Sequence, residues 1–397
     1  MADPDILARS AEGWVLRMPL LIGPHAALVV RGTTLRLSTG DMAAIVSAGI
    51  LGLVDATVTS LDRATGEPSR IDDDDRFRPF LLGIGGSRIL IAGSRLASLG
   101  HRGEKAYGLT ASSGPAQAGA LPPPSLWMVD SRVEDLFYGL YTFEAGSVVV
   151  VNNRFSDNIV YGIDPHDFTR GLVIAGNVVE RTRRRHGIVL ARGVRDAWLV
   201  DNVSRGNGGS GLMVDDAGKD VVIARNEIVD NDWDGIALFE SDAVLIRDNR
   251  IAGNARDGIR IRNSSGVTVV ANVVENNGSD GVEVYGSGSA DRAGSHALLC
   301  HNILTTPGDA AVDVHGSARL DWLRGTGDAV VPLAMLKLRD RAALQPWLAT
   351  PPAALTVLSA GDGTLQVLKA DETRLAGWCE RQRSDAGPWR RLPPASG

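Results

Sequence analysis

The sequence predicts an all-β chain wound as a parallel β-helix and closed by a C-terminal cap. Three observations predict it: an asparagine that returns at a fixed step, a glycine that returns at nearly the same step, and self-similar text between them with strand-like alternation. Asn153, Asn177, Asn202, Asn226, Asn249 and Asn272 lie 24, 25, 24, 23 and 23 residues apart. Gly162, Gly187, Gly211, Gly235, Gly258 and Gly281 keep almost the same spacing. A period of roughly 20–50 residues marks a solenoid or a propeller, but a propeller blade needs roughly 40 or more, and the leucine-rich pattern is absent. About 24 residues fit a coil of three short strands, stacked on the next coil at about 4.8 Å. The asparagines at equivalent turns would then form an internal ladder of amide bonds between coils.

The elements follow in order. LLIGPHAALVVRGTTLRLS and ILGLVDATVTS read as early strands. An acidic insertion, EPSRIDDDDRFRPF (67–80), comes next. Ser94 in LIAGSRLASLG and Ser131 in WMVDSRVEDLFYGLY take the ladder position, with a Pro/Ala-rich insertion (111–125) between them. Loops of a solenoid usually emerge on one face, often the binding face. After the regular units, ALLCHNILTTPGDAAVDVHG reads as the last regular coil, and the pattern fails from about residue 319. RLDWLRGTGD and the helix-capable LAMLKLRDRAALQPWLA (333–349) then read as a cap, and PWRRLPPASG (388–397) as a loose tail. The expected division is a β-helix over 1–318 and a cap and tail over 319–397. A cap protects strand edges that would otherwise pair with other chains.

Composition narrows the function classes. The net charge is −6 and only four residues are lysine, so arginine supplies almost all positive charge. No nucleic-acid partner is expected, because any polyanion would have to meet a local arginine cluster. Cys300 and Cys379 fit one disulfide or two free thiols, and no metal-ligand spacing exists. No apolar run reaches the roughly 18 residues of a membrane span, so no membrane insertion is expected. The opening MADPDILARSAEGW lacks the basic and apolar regions of a secretory signal. The chain is therefore expected either to be cytoplasmic or to begin beyond a removed signal.

Positions one and three after each repeated glycine are aliphatic, so positions two and four face outward. The outward positions hold Asp164 and His166 in one coil and Arg260 and Arg262 in another; Asp215, Phe239 and Tyr285 share the column of His166. The fifth position, where the strand turns, holds Asp167, Arg192, Asp216 and Glu240. Tyr141 extends the stripe upstream. Aromatic faces and arginines along a groove suit a chain of carboxylated sugars. A solvated outer face would carry polar columns too. One coil departs from the rest: YGIDPHD, Tyr161 to Asp167, places Pro165 where a strand should continue, with three ionisable groups around it. A sequence that breaks its own repeat at a polar cluster marks a candidate functional site.

YGIDPHD resembles the signature of the mannuronan C-5 epimerases. FRPFLLGIGG (77–86), YGLYTFEAG (138–146), NNRFSDNIVYGIDPHD (152–167), HGIVLARGV (186–194) and DGIRIRNSSGV (257–267) are similar to the periplasmic epimerases of bacterial alginate biosynthesis. The resemblance spans roughly residues 15–290. It implies a right-handed parallel β-helix, a periplasmic setting, an anionic polysaccharide (polymannuronate or alginate) as ligand, and other alginate synthesis and export proteins as partners. The implied reaction turns β-D-mannuronate into α-L-guluronate within the polymer by moving the proton on carbon 5 from one face to the other. That chemistry needs a base, a group that neutralises the adjacent carboxylate, and an acid on the opposite face. The resemblance places His166 as base, Asp164 and Asp167 as its orienting carboxylates, and Arg192 as neutraliser. Repeat arithmetic also puts Arg192, 26 residues on, beside His166. The acid is either water or Tyr161, although Tyr107 and Tyr138 hold the same place in earlier coils and a packing role is equally open. Tyr141, Asp216, Glu240, Arg260 and Arg262 are candidate substrate-binding residues. No cofactor is expected, and no metal, since the calcium-binding nonapeptide modules of the secreted epimerases are absent.

Other readings share these residues. A polyuronate lyase would use the same base and neutraliser and then expel the glycosidic oxygen. A glycoside hydrolase would need paired carboxylates, for which Asp215/Asp216 or Asp164/Asp167 are the candidates. A non-catalytic polysaccharide-binding component of an export complex would need only the groove.

Overall fold

The computed structural model describes residues 3–71, 73–113, 121–287, 294–305, 308–324, 336–337, 346, 352–362 and 364–384. They wind as a right-handed parallel β-helix of about 12 turns of roughly 24 residues. Each regular coil gives one strand to each of three sheets, of 13, 14 and 13 strands among the described residues. One such coil runs through Arg154–Ser156, Tyr161–His166 and Arg170–Ala175. The sheet that holds Tyr161–His166 is the groove sheet.

Inside the solenoid, like stacks on like. Leu140, Ile163, Ile188, Leu212, Ile236 and Ile259 follow one another coil by coil in the groove sheet, almost wholly removed from solvent. Each such burial contributes about 1.5–3 kcal/mol against exposure. The expected asparagine ladder is present. From Asn177 to Asn272, each side-chain oxygen accepts both the backbone N–H and the side-chain amide of the asparagine one coil earlier, at 2.8–3.0 Å. Serine does take the position upstream: Ser94 N donates to Ser131 Oγ at 3.0 Å, and Ser131 N to Asn153 Oδ1 at 2.9 Å. A second ladder, which the sequence reading did not find, climbs the corner before the groove sheet through Thr182, Asn207, Asn231, Asn254 and Asn277. The repeated glycines sit just after it, where no side chain fits. A Cβ on Gly162 would stand 2.4 Å from Val179 Cγ1 and 2.5 Å from the Gly187 carbonyl oxygen.

Both ends leave the parallel pattern. Leu7–Ser10 pairs antiparallel with Gly13–Leu16 at the first coil. At the other end the expected boundary at 318/319 falls inside the strand Ala318–Leu323, which pairs in parallel with Ser295–Cys300. Ala354–Ser359 and Leu365–Lys369 extend that sheet antiparallel. The helix Glu372–Ser384 follows, and its Leu375 and Trp378 pack on Val270, Leu298 and Cys300. Cys300 and Cys379 form a disulfide, Cα to Cα 6.2 Å, which settles the two possibilities for the thiols. Of the helix-capable stretch 333–349, only 336–337 and 346 are described; Leu336–Lys337 is a strand that pairs with the last groove-sheet strand. The tail 388–397 lies outside the described residues.

Candidate active site

The strand Tyr161–His166 lies between Tyr138–Phe143 and Ile188–Ala191. Its period-two alternation sends Ile163 and Pro165 inward. Asp164 and His166 face outward, in line with Tyr141 and Phe143 on the previous coil. The strand is not interrupted, contrary to expectation. Ile163 N donates to Gly187 O and Asp167 N to Ala191 O, both at 3.0 Å, so the ladder resumes on either side of Pro165. The proline costs one donor, not the strand.

His166 is held on two sides. Its Nδ1 is hydrogen-bonded to Asp167 Oδ2. A carboxylate there accepts the Nδ1 proton and leaves Nε2 as the free acceptor. The backbone is fixed by Thr169, whose hydroxyl donates to His166 O at 2.8 Å and accepts Ala145 N–H at 3.3 Å. Asp167 reaches the ring because the coil turns through left-handed backbone at this residue, φ 41°. Glu144, Arg192, Asp216, Glu240 and Asn263 turn their coils the same way, with φ from 47° to 59°. Such a corner favours Asn and Asp among non-glycine residues.

Arg192 stacks one coil beyond Asp167, while Ala191 is the residue in register with His166. The Arg192 guanidinium therefore meets Asp167 Oδ1, at 3.9 Å, and is 63 % exposed. Asp164 makes no hydrogen bond to His166; the bond expected of both aspartates is made by Asp167 alone. Asp164 is 2 % exposed and its Oδ1 has no partner. Burial, then the neighbouring Asp167 charge, pushes its carboxyl well above the usual carboxylate range, with Lys105 opposing. Both effects favour the protonated form of the Asp164 carboxyl.

Tyr161 belongs to an aromatic column beside this pair. Ring centroids run Tyr107–Tyr138 at 4.5 Å, Tyr138–Tyr161 at 5.0 Å and Tyr161–His186 at 5.9 Å. Burial raises the Tyr161 phenol, and its hydroxyl has no hydrogen-bond partner among the described residues. His186 continues the column to Trp233, 5.4 Å away ring to ring; it is pushed down to about 4 by burial and by Arg185, and its Nδ1 accepts Ser210 N–H at 2.9 Å. Tyr141 lies 5.7 Å, ring to ring, from His166. Its hydroxyl accepts from Lys105 Nζ at 3.1 Å, and the same ammonium sits 3.5 Å from the centre of the Phe143 ring. The sequence reading missed Lys105. Its one signal was rarity, a lysine two residues before the tyrosine of a groove-sheet coil.

The remaining candidates are remote from the base. Arg260 and Arg262 lie four coils on, about 19 Å along the axis. Arg262 pairs with Glu240 at 3.2 Å and covers the Phe239 ring at 4.1 Å. Arg260 Nε meets Glu283 Oε2 at 2.8 Å. Asp216, two coils on, is exposed and has no ion pair among the described residues. Glu283, Asp313 and His315 bring three ligand atoms within 4.8 Å of one another. His315 Nε2 also lies 3.0 Å from Glu283 Oε1, within hydrogen-bond distance, and Arg260 pairs with the other oxygen of the same carboxylate.

The chain is similar to known proteins over much of this length. A model of the right-handed β-helix region matches residues 189–321, and one described as periplasmic copper-binding protein (NosD) matches 125–234. The three-residue cluster above lies outside the second match. The mannuronan C5-epimerase of Pseudomonas putida is 38 % identical over 238 residues, 59 % of this chain and 46 % of its own. The mannuronan C5-epimerase AlgG of Azotobacter vinelandii is 37 % identical, again over 59 % of this chain and 45 % of its own. The chain spans about half the length of these curated relatives. The crystal structure of the periplasmic alginate epimerase AlgG superposes with a TM-score of 0.74 at 31 % identity, covering 81 % of each chain. A double mutant of AlgG gives 0.76 at 32 % identity, over 79 % of this chain and 78 % of the other.

Proposed function

This chain belongs to the alginate C-5 epimerase family, and on that premise we propose that it converts β-D-mannuronate to α-L-guluronate within polymannuronate. The hydrogen on carbon 5 is α to a carboxylate. His166 Nε2 takes it as a proton, and the electron pair of the broken C–H bond moves onto the carboxylate. Arg192, with its exposed guanidinium, answers that growing charge. A proton then returns to carbon 5 from the other face, given by Tyr161 or by a water. Asp167 accepts the Nδ1 proton and so leaves Nε2 as the acceptor. Asp164 lies buried beside this pair, where burial favours its protonated form and so lessens its repulsion of an anionic polymer.

The His166–Asp167 pair carries this reading: a ring with one nitrogen committed to a carboxylate and the other free is a base awaiting a proton. Tyr141 lines the same stretch of groove, and Asp216, Glu240, Arg260 and Arg262 would meet sugars further along. The compartment is the periplasm, supported by the relatives' setting and by a disulfide, which persists where the surroundings are oxidising. No helix among the described residues is long and apolar enough to cross a membrane. Contacts with other alginate synthesis and export proteins belong to the same proposal.

Proton NMR of polymannuronate in heavy water tests it. Guluronate signals with deuterium at carbon 5, and no rise in ultraviolet absorbance, are expected. Rising absorbance with shortened chains would mean β-elimination instead.

A further inference from the structure

We infer that Lys105 is a second cationic anchor for the polymer, taking the carboxylate of a sugar next to the one over His166. This rests on the epimerase reading and extends it to the neighbouring subsite. Lys105 and Arg192 lie on opposite sides of His166 along the groove. Phe143, under the Lys105 ammonium, is in register with His166 one coil earlier. Arg192 follows one coil later. The two cations are thus about two coils apart, roughly 10 Å along the axis. A pair of fixed positive charges at that spacing suits a ligand that repeats its carboxylates, which a single uronate does not.

The ammonium is unusually short of partners. It has three protons to donate, and among the described residues only Tyr141 Oη accepts one, at 3.1 Å. Asp167, Glu104 and Glu144 attract it, yet no carboxylate lies within ion-pair distance among the described residues. Burial works against its charge. A half-buried cation above an aromatic ring, with protons left over, is built to receive an anion.

Its loop is also held in place. Lys105 itself takes left-handed backbone, φ 64°, in a turn closed by His101 N to Ala106 O at 3.0 Å. The acidic insertion braces that turn. Arg102 N donates to Asp74 O at 2.7 Å, and Arg102 Nε to Asp75 Oδ1 at 2.7 Å. Asp74 Oδ1 in turn accepts Arg184 Nη2 at 2.9 Å, from a coil further along the solenoid. Asp74 and Asp75 are therefore a strap across coils that fixes where Lys105 stands.

Titration calorimetry of polymannuronate against the full chain at low salt tests this without relying on turnover. Lys105→Met keeps the stem and removes the charge; its Kd should rise about 10-fold or more, and Lys105→Arg should recover most of the loss. An unchanged thermal melt separates this from unfolding. A Lys105→Met variant that binds as tightly as the wild type overturns the inference, as does a wild type that does not bind. Charge-dependent binding with no exchange at carbon 5 would sink the epimerase reading and leave the anchor standing.

Discussion

Arg192 stands in register with Asp167 and not with His166, its Nη1 3.9 Å from Asp167 Oδ1. His166, Asp167 and Arg192 therefore form a chain with the carboxylate in the middle. The carboxylate fixes the ring on one side and steadies the guanidinium on the other, loosely enough for the arginine to leave it for a substrate.

Removing the guanidinium should cost the stabilisation of the developing charge and little else. Arg192→Ala should slow carbon-5 exchange by about 10²–10³. Arg192→Lys should fall between, since an ammonium lacks the two-pronged geometry. Thermal melts of both should match the wild type, because the side chain is 63 % exposed. Exchange rates in heavy water check this, and a rate for Arg192→Ala within threefold of the wild type would contradict it.

His186 makes a prediction about pH. Burial and Arg185 hold it at about 4 in the fold, against about 6.5 unfolded. The folded chain binds that proton more weakly than the unfolded chain. Its contribution is therefore complete above pH 6.5 and is lost as pH falls towards 4, on the order of 3 kcal/mol in all. Melting temperature should drop across that window, and His186→Asn should flatten the drop while lowering stability at neutral pH.

The asparagine ladder can be probed at one rung. Asn202 Oδ1 accepts from Asn177 N and Nδ2, both at 3.0 Å. Asn202→Ala strands both donors in the core and should cost about 2–4 kcal/mol in urea unfolding. Asn202→Ser should cost less, because Ser131 and Ser94 already serve as rungs.

That rung also shows what was legible. A column of one residue type at a constant step can be counted along the text, and both the asparagines and the glycines could be. The period-two alternation likewise put Asp164 and His166 on the outer face. The second ladder was hidden because Thr182 replaces one asparagine and its neighbours read as ordinary turn residues. Lys105 was hidden for a geometric reason: the irregular insertion at 111–125 breaks the count between its loop and the His166 coil. Register misled at Arg192, where 26 residues is one more than the step that aligns Ala191 with His166. The partners of Arg260 and Arg262 depend on side-chain reach between coils, which spacing does not encode.

The disulfide ties the terminal helix to the solenoid and closes a separation of 79 residues. A loop of that size corresponds to about 4 kcal/mol in the chain-entropy account. Cys300→Ala with Cys379→Ala should make the segment 365–384 sensitive to protease. Carbon-5 exchange should persist, since Cys300 lies several coils from His166.

The central claim is that His166, held by Asp167, removes the proton from carbon 5. Its most direct test is deuterium entry at carbon 5 of polymannuronate by purified His166→Gln beside the wild type, each confirmed folded by its melt. The account predicts guluronate carrying deuterium from the wild type and none above background from the variant. Exchange by His166→Gln at the wild-type rate would contradict it.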